Sequence, residues 1–301
     1  MCTTAINHIY SFPTEFIENL HVLPNGNLLL STMESRDLLY TLDPTAAKPQ
    51  AEPVASFDSN TTGLTGIVPL EGDLYAVSGG LHTSYAFERG SMHLYIVSLQ
   101  TGKVVDSIPV PDTATMNGLA PLPRNPYILL SADSIDGRIF SIDTRTRNVH
   151  VMLEDPALGP GNGNSSLSLP PIGINGLRTR GDYIYFTNSN QGTFSRIRVD
   201  ENGTRAGDFE ILARSPTASH IYDDFTFDSD GNAYIAVHSS SVLKVTPDGV
   251  QTTIAGGEGD ALFKDPTSAA LANDGKSIYV VTGGRFSANP PEGGQVIQIR
   301  L

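Results

Sequence analysis

The sequence offers few covalent or ionic means of stabilising a fold. Its 301 residues include a single cysteine, Cys2, so no disulfide can form within the chain. Tryptophan is absent and charged residues make up 17% of the chain, against about 25% in an average domain. Glycine and proline, which favour turns, occur 29 and 20 times. A chain with little charge and many turn formers is typical of an all-β protein whose stability comes from packing.

Basic residues are also scarce, with 19 Lys and Arg against 32 Asp and Glu and a net charge of −13. Nucleic acids and anionic membranes bind basic patches, so we expect neither as a partner. No apolar run approaches the roughly 18 residues of a membrane-spanning helix, which excludes an integral helical membrane protein. The N-terminus shows no basic segment followed by an apolar stretch, so no signal peptide is visible. Localisation stays open between the cytoplasm and, for a processed chain, secretion, and the oligomeric state is also open.

One short segment recurs along the chain every 44 to 58 residues, each time just before a hairpin turn. The turns contain Asn-Gly or Asp-Gly in several copies, for example 24–27 and 229–232, and these dipeptides supply the positive φ angles of tight hairpins. A β-rich run follows every turn. The copies are Ile17-Glu18-Asn19-Leu20, Leu64-Thr65-Gly66-Ile67, Met116-Asn117-Gly118-Leu119, Ile174-Asn175-Gly176-Leu177, Tyr222-Asp223-Asp224-Phe225 and Pro266-Thr267-Ser268-Ala269.

Units of about four strands with a period near fifty residues are typical of β-propeller blades. The last unit ends after its third strand, at 296–299, while the chain begins with an isolated strand at 6–10. Pairing of 6–10 with 295–300 would complete the last blade and remove the exposed edge. The sequence therefore predicts an all-β, six-bladed β-propeller with four-stranded blades. It predicts one domain, 1–301, closed into a ring by the N-terminal strand.

The first polar residue of each recurrent segment should point into one mouth of the central channel. These residues form a ring of oxygen-bearing side chains: Glu18, Thr65, Asn117, Asn175, Asp223 and Thr267. Carboxylates at close quarters favour a cation or a proton between them, and Ca²⁺ prefers such oxygen ligands. Alternatively, these groups cap strand starts and bond to neighbouring backbone. Nothing in the sequence indicates an organic cofactor, a Gly-x-Ser-x-Gly elbow or a His-Glu-x-x-His metal site.

Three long loops, 79–90, 159–173 and 283–294, lie on the same predicted face as the ring. Long loops on a scaffold of short ones are commonly binding elements, although they can also be tolerated insertions. We therefore expect a small-molecule pocket at this mouth. Its candidate catalytic hydrogen-bonding residues are His82, Tyr85, Asn117, Asn175 and His238. Its candidate substrate contacts are Thr65, Phe87, Asn188, Thr267, Arg285 and Phe286.

These motifs resemble those of the gluconolactonase/regucalcin-like superfamily of six-bladed propellers, over residues 6–301. The resemblance implies a divalent cation, such as Ca²⁺, held by Glu18, by Asn175 in Ile-Asn-Gly-Leu, and by Asp223, which opens an Asp-x4-Asp-x2-Gly motif. It also implies a substrate contact by Asn117. The family's substrate-binding Arg has no counterpart near Thr115.

Five motifs resemble more specifically a fungal branch of that superfamily. They are Ile-Glu-Asn at 17–19 with the turn at 24–29, Ile-Asn-Gly-Leu at 174–177, Asp-Asp-Phe at 223–225, Asp-Gly-Asn-Ala-Tyr at 230–234 and Pro-Thr-Ser-Ala-Ala at 266–270. Some members of the branch act in natural-product pathways as hetero-Diels–Alderases or related cyclisation catalysts.

Three functions remain open from the sequence. The first, favoured by the fungal resemblance, is a cyclisation or hetero-Diels–Alder catalyst for an apolar polyketide- or terpenoid-type substrate of secondary metabolism. Such an enzyme needs no nucleophile, because holding two reacting π-systems together and hydrogen-bonding a carbonyl both lower the barrier. The second is a divalent-metal-dependent lactonase or esterase. The third is a propeller that binds a ligand without catalysis.

Overall fold

The computed structural model describes residues 5–35, 38–83, 86–161, 171–217, 220–238, 240–285 and 287–301. Within these ranges all regular secondary structure is β-strand, joined by turns and loops. The predicted all-β class is confirmed. No helix in the described ranges is long and apolar enough to cross a membrane.

The strands of the first half of the chain, in order, are β1 (Ile6–Ser11), β2 (Phe16–Val22), β3 (Leu28–Met33), β4 (Leu39–Leu42), β5 (Ala51–Ala55), β6 (Gly63–Pro69), β7 (Leu74–Gly80), β8 (His82–Thr83), β9 (Ala86–Phe87), β10 (His93–Ser98), β11 (Lys103–Pro109), β12 (Met116–Leu122), β13 (Asn125–Asp133), β14 (Arg138–Asp143) and β15 (Val149–Glu154). Those of the second half are β16 (Ile174–Arg180), β17 (Tyr183–Asn188), β18 (Thr193–Arg198), β19 (Glu210–Arg214), β20 (Ile221–Phe227), β21 (Ala233–His238), β22 (Ser241–Val245), β23 (Gln251–Gly256), β24 (Pro266–Leu271), β25 (Ser277–Thr282) and β26 (Gln295–Arg300).

The described strands form six antiparallel four-stranded units, each beginning at one of the recurrent segments. Three of them are separate meanders, β12 to β15, β16 to β19 and β20 to β23. Two more, β2 to β5 and β6-β7-β10-β11, join into one eight-stranded sheet through a single residue pair, Met33 with Gly63. The remaining pair, β8 and β9, forms a small hairpin inside the 79–90 loop that the sequence did not predict.

The chain's first and last strands lie in the same unit, in the order β1-β26-β25-β24. Ile6 pairs with Ile299 and Ser11 with Gln295, in antiparallel register. The pairing predicted between 6–10 and 295–300 is therefore present. β1 covers the edge of β26, which would otherwise be exposed and able to pair with another chain.

The apolar core lies between neighbouring units rather than at one centre. One cluster joins Leu28 and Leu30 of the first unit to Tyr279 and Val281 of the last. Further clusters fill the spaces between each other pair of neighbours. Because inner strands such as β3 are covered on both faces, they are buried along almost their whole length. The outer strands, such as β5, contain exposed residues.

The first strand of each unit packs against the first strands of two other units, in the circuit β2, β6, β12, β16, β20, β24 and back to β2. The contact is close enough to require glycine. A Cβ on Gly118 would overlap the backbone nitrogen of Leu177, and one on Gly176 would lie 2.7 Å from the Cα of Asp224. The glycine of the repeated Asn-Gly-Leu motif is thus explained by the approach of the next strand.

Candidate functional site

Every ring residue predicted from the sequence stands at a bulge in its inner strand. The register of each innermost pair shifts across that position, for example between Ile17 and Asn19 around Glu18, and between Ile174 and Leu177 around Asn175. The same shift occurs in the other four inner pairs, around Thr65, Asn117, Asp223 and Thr267. A bulge takes a residue out of the ladder and re-aims its side chain. The bulges therefore set the directions of the ring side chains.

Glu18, Asn175 and Asp223 are all buried, and Asp223 interacts with both of the others, with the charge of Glu18 and with the side-chain amide of Asn175. Burial, reinforced by the negative charges of Asp223 and Asp224, holds the pKa of Glu18 well above the usual carboxylate value. Burial likewise raises the pKa of Asp223, and the Asp224 charge adds to it, against the opposing effects of His238 and the Asn175 amide. The structure thus brings together three residues that the sequence assigned to one site.

Asp223 is paired with a histidine. Its Oδ2 lies 2.6 Å from Nε2 of His238, which follows from adjacent strands β20 and β21. Burial lowers the pKa of His238, but the hydrogen bond and charge of Asp223, together with the Asp265 carboxylate, outweigh this and leave the pKa raised. Nε2 is engaged with Asp223, and Nδ1 lies 3.9 Å from Oδ1 of Asp265, too far for a hydrogen bond. The side chain is 26% exposed, so a ligand can reach it.

Ser189 fixes the orientation of the Asn175 amide. The Ser189 hydroxyl donates to the Tyr222 carbonyl at 2.8 Å, so it can only accept at its 3.0 Å contact with Nδ2 of Asn175. Oδ1 of Asn175 consequently faces away from Ser189, and among the described residues it has no hydrogen-bond partner although it is buried. Oδ1 of Asn117 is buried and unpartnered in the same way. The ring therefore offers acceptors that lack donors.

A second polar layer lies directly beside the ring, centred on Asp224. Its Oδ2 accepts hydrogen bonds from Nδ2 of Asn19 at 2.9 Å, from Nη2 of Arg178 at 2.7 Å and from the Ser268 hydroxyl at 3.1 Å. Asp224 thus has a cationic partner in Arg178, and Asp223 has a hydrogen-bonding partner in His238. Among the described residues Glu18 forms no ion pair and its carboxyl group accepts no hydrogen bond. Of the buried carboxyl groups of Glu18, Asp223 and Asp224, that of Glu18 is therefore the one whose negative charge no described neighbour compensates.

A buried carboxyl group that has no cationic side chain beside it is stable either when it is protonated or when a cation is bound next to it. The donor types of Glu18, Asn175 and Asp223, with the two unpartnered amide oxygens, fit a hard divalent cation. The described residues contain no group of three or more His, Cys, Asp and Glu side chains arranged to hold a metal ion. A cation site here would therefore depend on the asparagine oxygens as much as on the carboxylates.

The three remaining polar candidates are engaged with backbone and fully buried. The Thr65 hydroxyl donates to the Met116 carbonyl at 2.8 Å, and that of Thr267 donates to the Ile17 carbonyl at 2.7 Å. Nδ2 of Asn188 lies 2.8 Å from the Gly159 carbonyl and anchors the segment that begins the long 159–173 loop. Their expected contact with substrate finds no support in this geometry, because no polar group of these side chains is left free and accessible. They link neighbouring units instead.

The candidates on the long loops are dispersed. Nδ1 of His82 lies 3.0 Å from the exposed Glu34 carboxylate, and burial lowers the pKa of His82 despite that charge. Phe87 is 4% exposed and packs in the core between the second and third units, so it forms no exposed wall. Nη2 of Arg285 donates to the Asp260 carbonyl at 2.9 Å. Tyr85 and Phe286, like Cys2, lie outside the described residues, as does the segment 162–170 of the long loop 159–173.

Sequence reasoning missed several residues that shape the site. Asp224 stands beside Asp223 in the fifth recurrent segment, and Asn19 stands beside Glu18 in the first. Two adjacent polar residues occur at three of the six positions, the third being Thr267-Ser268, and this was the available signal. Ser189 and Arg178 gave no such signal, since their roles arise from contacts with other units.

Comparison with known proteins agrees with the resemblance read from the motifs. The chain is 24% identical to a protein of Sarocladium schorii assigned as the hetero-Diels–Alderase asR5, over 96% of this chain and 80% of the relative. A relative from a Phoma species, also assigned as a hetero-Diels–Alderase, is 26% identical over 89% of this chain and 83% of its own. The chain resembles hetero-Diels–Alderases. No protein-family model matches it.

The fold is shared with solved propellers of the regucalcin and gluconolactonase type. The structure of regucalcin from Agrobacterium tumefaciens, a calcium-binding protein, superposes with a TM-score of 0.65 at 15% identity, covering 99% of this chain and 95% of that one. At this identity the likeness establishes the fold alone. The predicted resemblance to hetero-Diels–Alderases is confirmed by the two relatives, and the predicted likeness to regucalcin and gluconolactonase propellers is confirmed at the level of the fold.

Proposed function

We propose that this protein is an enzyme that binds a carbonyl-containing, largely apolar small molecule at the ring and promotes its cyclisation by hetero-Diels–Alder addition. The observation that carries the proposal is the uncompensated, buried Glu18, because burial and the neighbouring carboxylates raise its pKa well above the usual carboxylate value and so favour its protonated form. A protonated carboxyl group donates a hydrogen bond, and His238, when protonated and bonded to Asp223 through Nε2, offers a second donor at Nδ1. The similarity to two assigned hetero-Diels–Alderases supports the reaction class.

The chemistry needs no nucleophile, oxidant or net proton transfer. The O=C–C=C unit of an α,β-unsaturated carbonyl adds to an alkene, so that three π bonds (C=O, C=C and the alkene) are replaced by one C–C bond, one C–O bond and one new C=C bond. A hydrogen bond from Glu18 to the carbonyl oxygen withdraws electron density and lowers the barrier, without the proton leaving the carboxyl group. Binding both reacting units side by side supplies the rest of the acceleration.

The architecture that presents these groups is, we infer, a single domain formed by a closed six-bladed propeller. Three observations support this inference: the circuit of inner-strand contacts returns to β2, β1 completes the last unit, and the Thr267 hydroxyl bonds across the junction to Ile17. In such a ring the inner-strand bulges converge on one channel mouth.

The proposal can be tested with a panel of α,β-unsaturated ketones and electron-rich alkenes, by measuring cycloadduct yield and enantiomeric excess by chiral chromatography. We expect adduct in enantiomeric excess, formed faster than without protein. The rate should fall as pH rises through the raised pKa of Glu18. Glu18→Gln should lose that pH dependence and be slower by about tenfold or more, as for loss of one preorganised donor. Glu52→Gln, on the exposed strand β5, is the matched control. Racemic adduct at the uncatalysed rate would argue for a propeller that only binds its ligand.

The alternative is divalent-metal-dependent lactone or ester hydrolysis, favoured by the unpartnered oxygens of Asn117 and Asn175. Glu18, Asn175 and Asp223 would hold Ca²⁺, which when bound polarises a carbonyl oxygen. His238, hydrogen-bonded to Asp223, would accept a proton from water. Thermal melts with calcium and with chelator test binding. A calcium-dependent rise in Tm that Glu18→Gln abolishes, together with chelator-sensitive lactone hydrolysis, would favour this function over cycloaddition.

A further inference from the structure

A cavity of about 240 Å³ lies between the fourth and fifth units, beside the ring but distinct from it. Two connections place it there. Ser189, which lines it, receives the hydrogen bond from Asn175, and His220, which also lines it, stands immediately before β20, the strand that carries Asp223. A molecule bound at the ring could therefore extend a substituent into this cavity.

Its lining is polar and carries one cation. The lining residues are Ser189, Asn190, Gln191, Gly192, Arg214, Ser215, Thr217 and His220. In the part of the chain that the structure describes, the Arg214 side chain has no hydrogen bond and no carboxylate within ion-pair distance. Arg178 and Arg196 are paired with carboxylates, whereas Arg214, an exposed residue at the end of β19, shares its lack of a carboxylate partner among the described residues with the exposed Arg198 and differs from it in lining a cavity. A free guanidinium in a polar cavity is a site for a planar oxyanion.

Other donors around the cavity are already occupied, which leaves few groups to compete with Arg214 for a ligand. Nδ2 of Asn190 donates to the Pro160 carbonyl at 2.7 Å, and Nε2 of Gln191 donates to the Gly159 carbonyl at 2.6 Å. The Ser215 hydroxyl lies 2.6 Å from the carbonyls of Thr217 and His220. These hydrogen bonds fix the positions of Asn190, Gln191 and Ser215 around the cavity, and Arg214 takes part in none of them.

His220 supplies a second hydrogen-bond donor to the cavity. Its Nδ1 is buried and has no partner among the described residues. Unpaired buried N–H groups are rarer than unpaired buried acceptors, so the proton belongs on Nε2, the nitrogen that can donate. One guanidinium and one imidazole N–H together suit a singly charged anion better than a strongly charged one. The net charge of −13 acts against dianions in the same direction.

We propose that this cavity is a carboxylate-binding subsite, with Arg214 as the main contact and His220 as a second donor. Its extension to catalysis rests on the proposed function: the carbonyl substrate would carry a carboxylate on the arm that leaves the ring between β16 and β20. The bound carboxylate would fix which face of the reacting unit is presented to Glu18, and so would contribute to stereochemical control.

Binding can be measured without any turnover, by saturation-transfer NMR and calorimetry with hexanoate and its neutral counterpart hexanamide. We expect hexanoate to bind and hexanamide to bind at least about tenfold more weakly, since a charge-assisted bond is lost. Arg214→Gln should weaken hexanoate binding by a similar factor. Arg198→Gln, which removes the same charge from the exposed end of β18, should leave it unchanged. His220→Gln should weaken binding less than Arg214→Gln.

The outcomes separate the subsite from the proposed function. Equal binding of the acid and the amide, no binding of hexanoate, or equal effects of the two arginine substitutions would each overturn the subsite. Inorganic phosphate is a further arm: tighter binding of phosphate than of hexanoate would reassign the cavity to a phosphate ligand and also overturn the proposal. Hexanoate binding that depends on Arg214 in a protein without cycloaddition activity would keep the subsite and reject the function.

Discussion

Replacing Asp224 with asparagine tests whether the buried network beside the ring holds the inner strands together. Asp224 is 1% exposed. Its Oδ2 accepts from Asn19, Arg178 and Ser268, and its Oδ1 accepts from the Phe225 backbone N–H at 2.8 Å. Because donors face both oxygens, either orientation of an asparagine amide would place its NH2 group against another donor. The substitution therefore preserves shape but removes the complementarity.

Breaking a buried ion pair by removing one partner costs about 3–5 kcal/mol, and the lower end applies because Arg178 is 26% exposed and partly solvated. We expect Asp224→Asn to lower the free energy of unfolding by about 3 kcal/mol, or Tm by about 5 °C for a chain of this length. Urea unfolding followed by circular dichroism and tyrosine fluorescence measures it, since the chain has 11 tyrosines and no tryptophan.

Two further variants make the test specific. Asp208→Asn removes a carboxylate that is 99% exposed and paired with Arg205, so it should not change the unfolding curve. Arg178→Met combined with Asp224→Asn should lose less stability than the two single changes added together, because the pair is removed as a unit. If Asp224→Asn matched wild type, or if the double variant were strictly additive, the network would not be the link between these strands.

Three other expectations follow from single contacts. Thr267→Val should destabilise the fold by about 1–3 kcal/mol, because it leaves the buried Ile17 carbonyl without its donor; an unchanged urea midpoint would contradict this. In chelator, Glu18→Gln should be more stable than wild type by an amount that grows with pH. The raised pKa of Glu18 means that its contribution is present below the ordinary carboxylate pKa and is lost as pH rises through the folded value. A pH-independent difference would show that Glu18 does not change its protonation there. Asn188→Ala should release the segment at 157–159 and speed limited proteolysis there, with no effect expected from Asn202→Ala on an exposed turn.

The pairing of Asp223 with His238 affects the expected outcome of a substitution at Asp223. Two carboxylates facing each other without an ion would make Asp223→Asn neutral or mildly stabilising. The structure adds His238 at 2.6 Å from Asp223, so this substitution also removes a favourable contact. Glu18→Gln is the cleaner probe of the carboxylate repulsion, because among the described residues Glu18 has no ion pair to lose.

The sequence by itself determined the all-β class, the six recurrent units and the ring positions, because these depend on local properties. Asn-Gly and Asp-Gly turns set hairpins within a few residues, and continuous apolar runs mark strands buried on both faces. The pairing of 6–10 with 295–300 also followed, since an incomplete last unit and an isolated first strand leave complementary edges. The sequence also shows directly that all six ring side chains carry oxygen and that two of them, Glu18 and Asp223, are acidic.

Only the tertiary structure decided how those groups are used. The inner-strand bulges that aim the ring side chains leave no fixed sequence mark, and they hold acids, amides and hydroxyls alike. Asn19 and Asp224 meet across 205 residues of chain. The Ser189 hydroxyl orients Asn175 by bonding to the next unit. Local sequence specifies each unit, but the protonation, orientation and pairing of the ring depend on contacts between units, which exist only once the units have packed together.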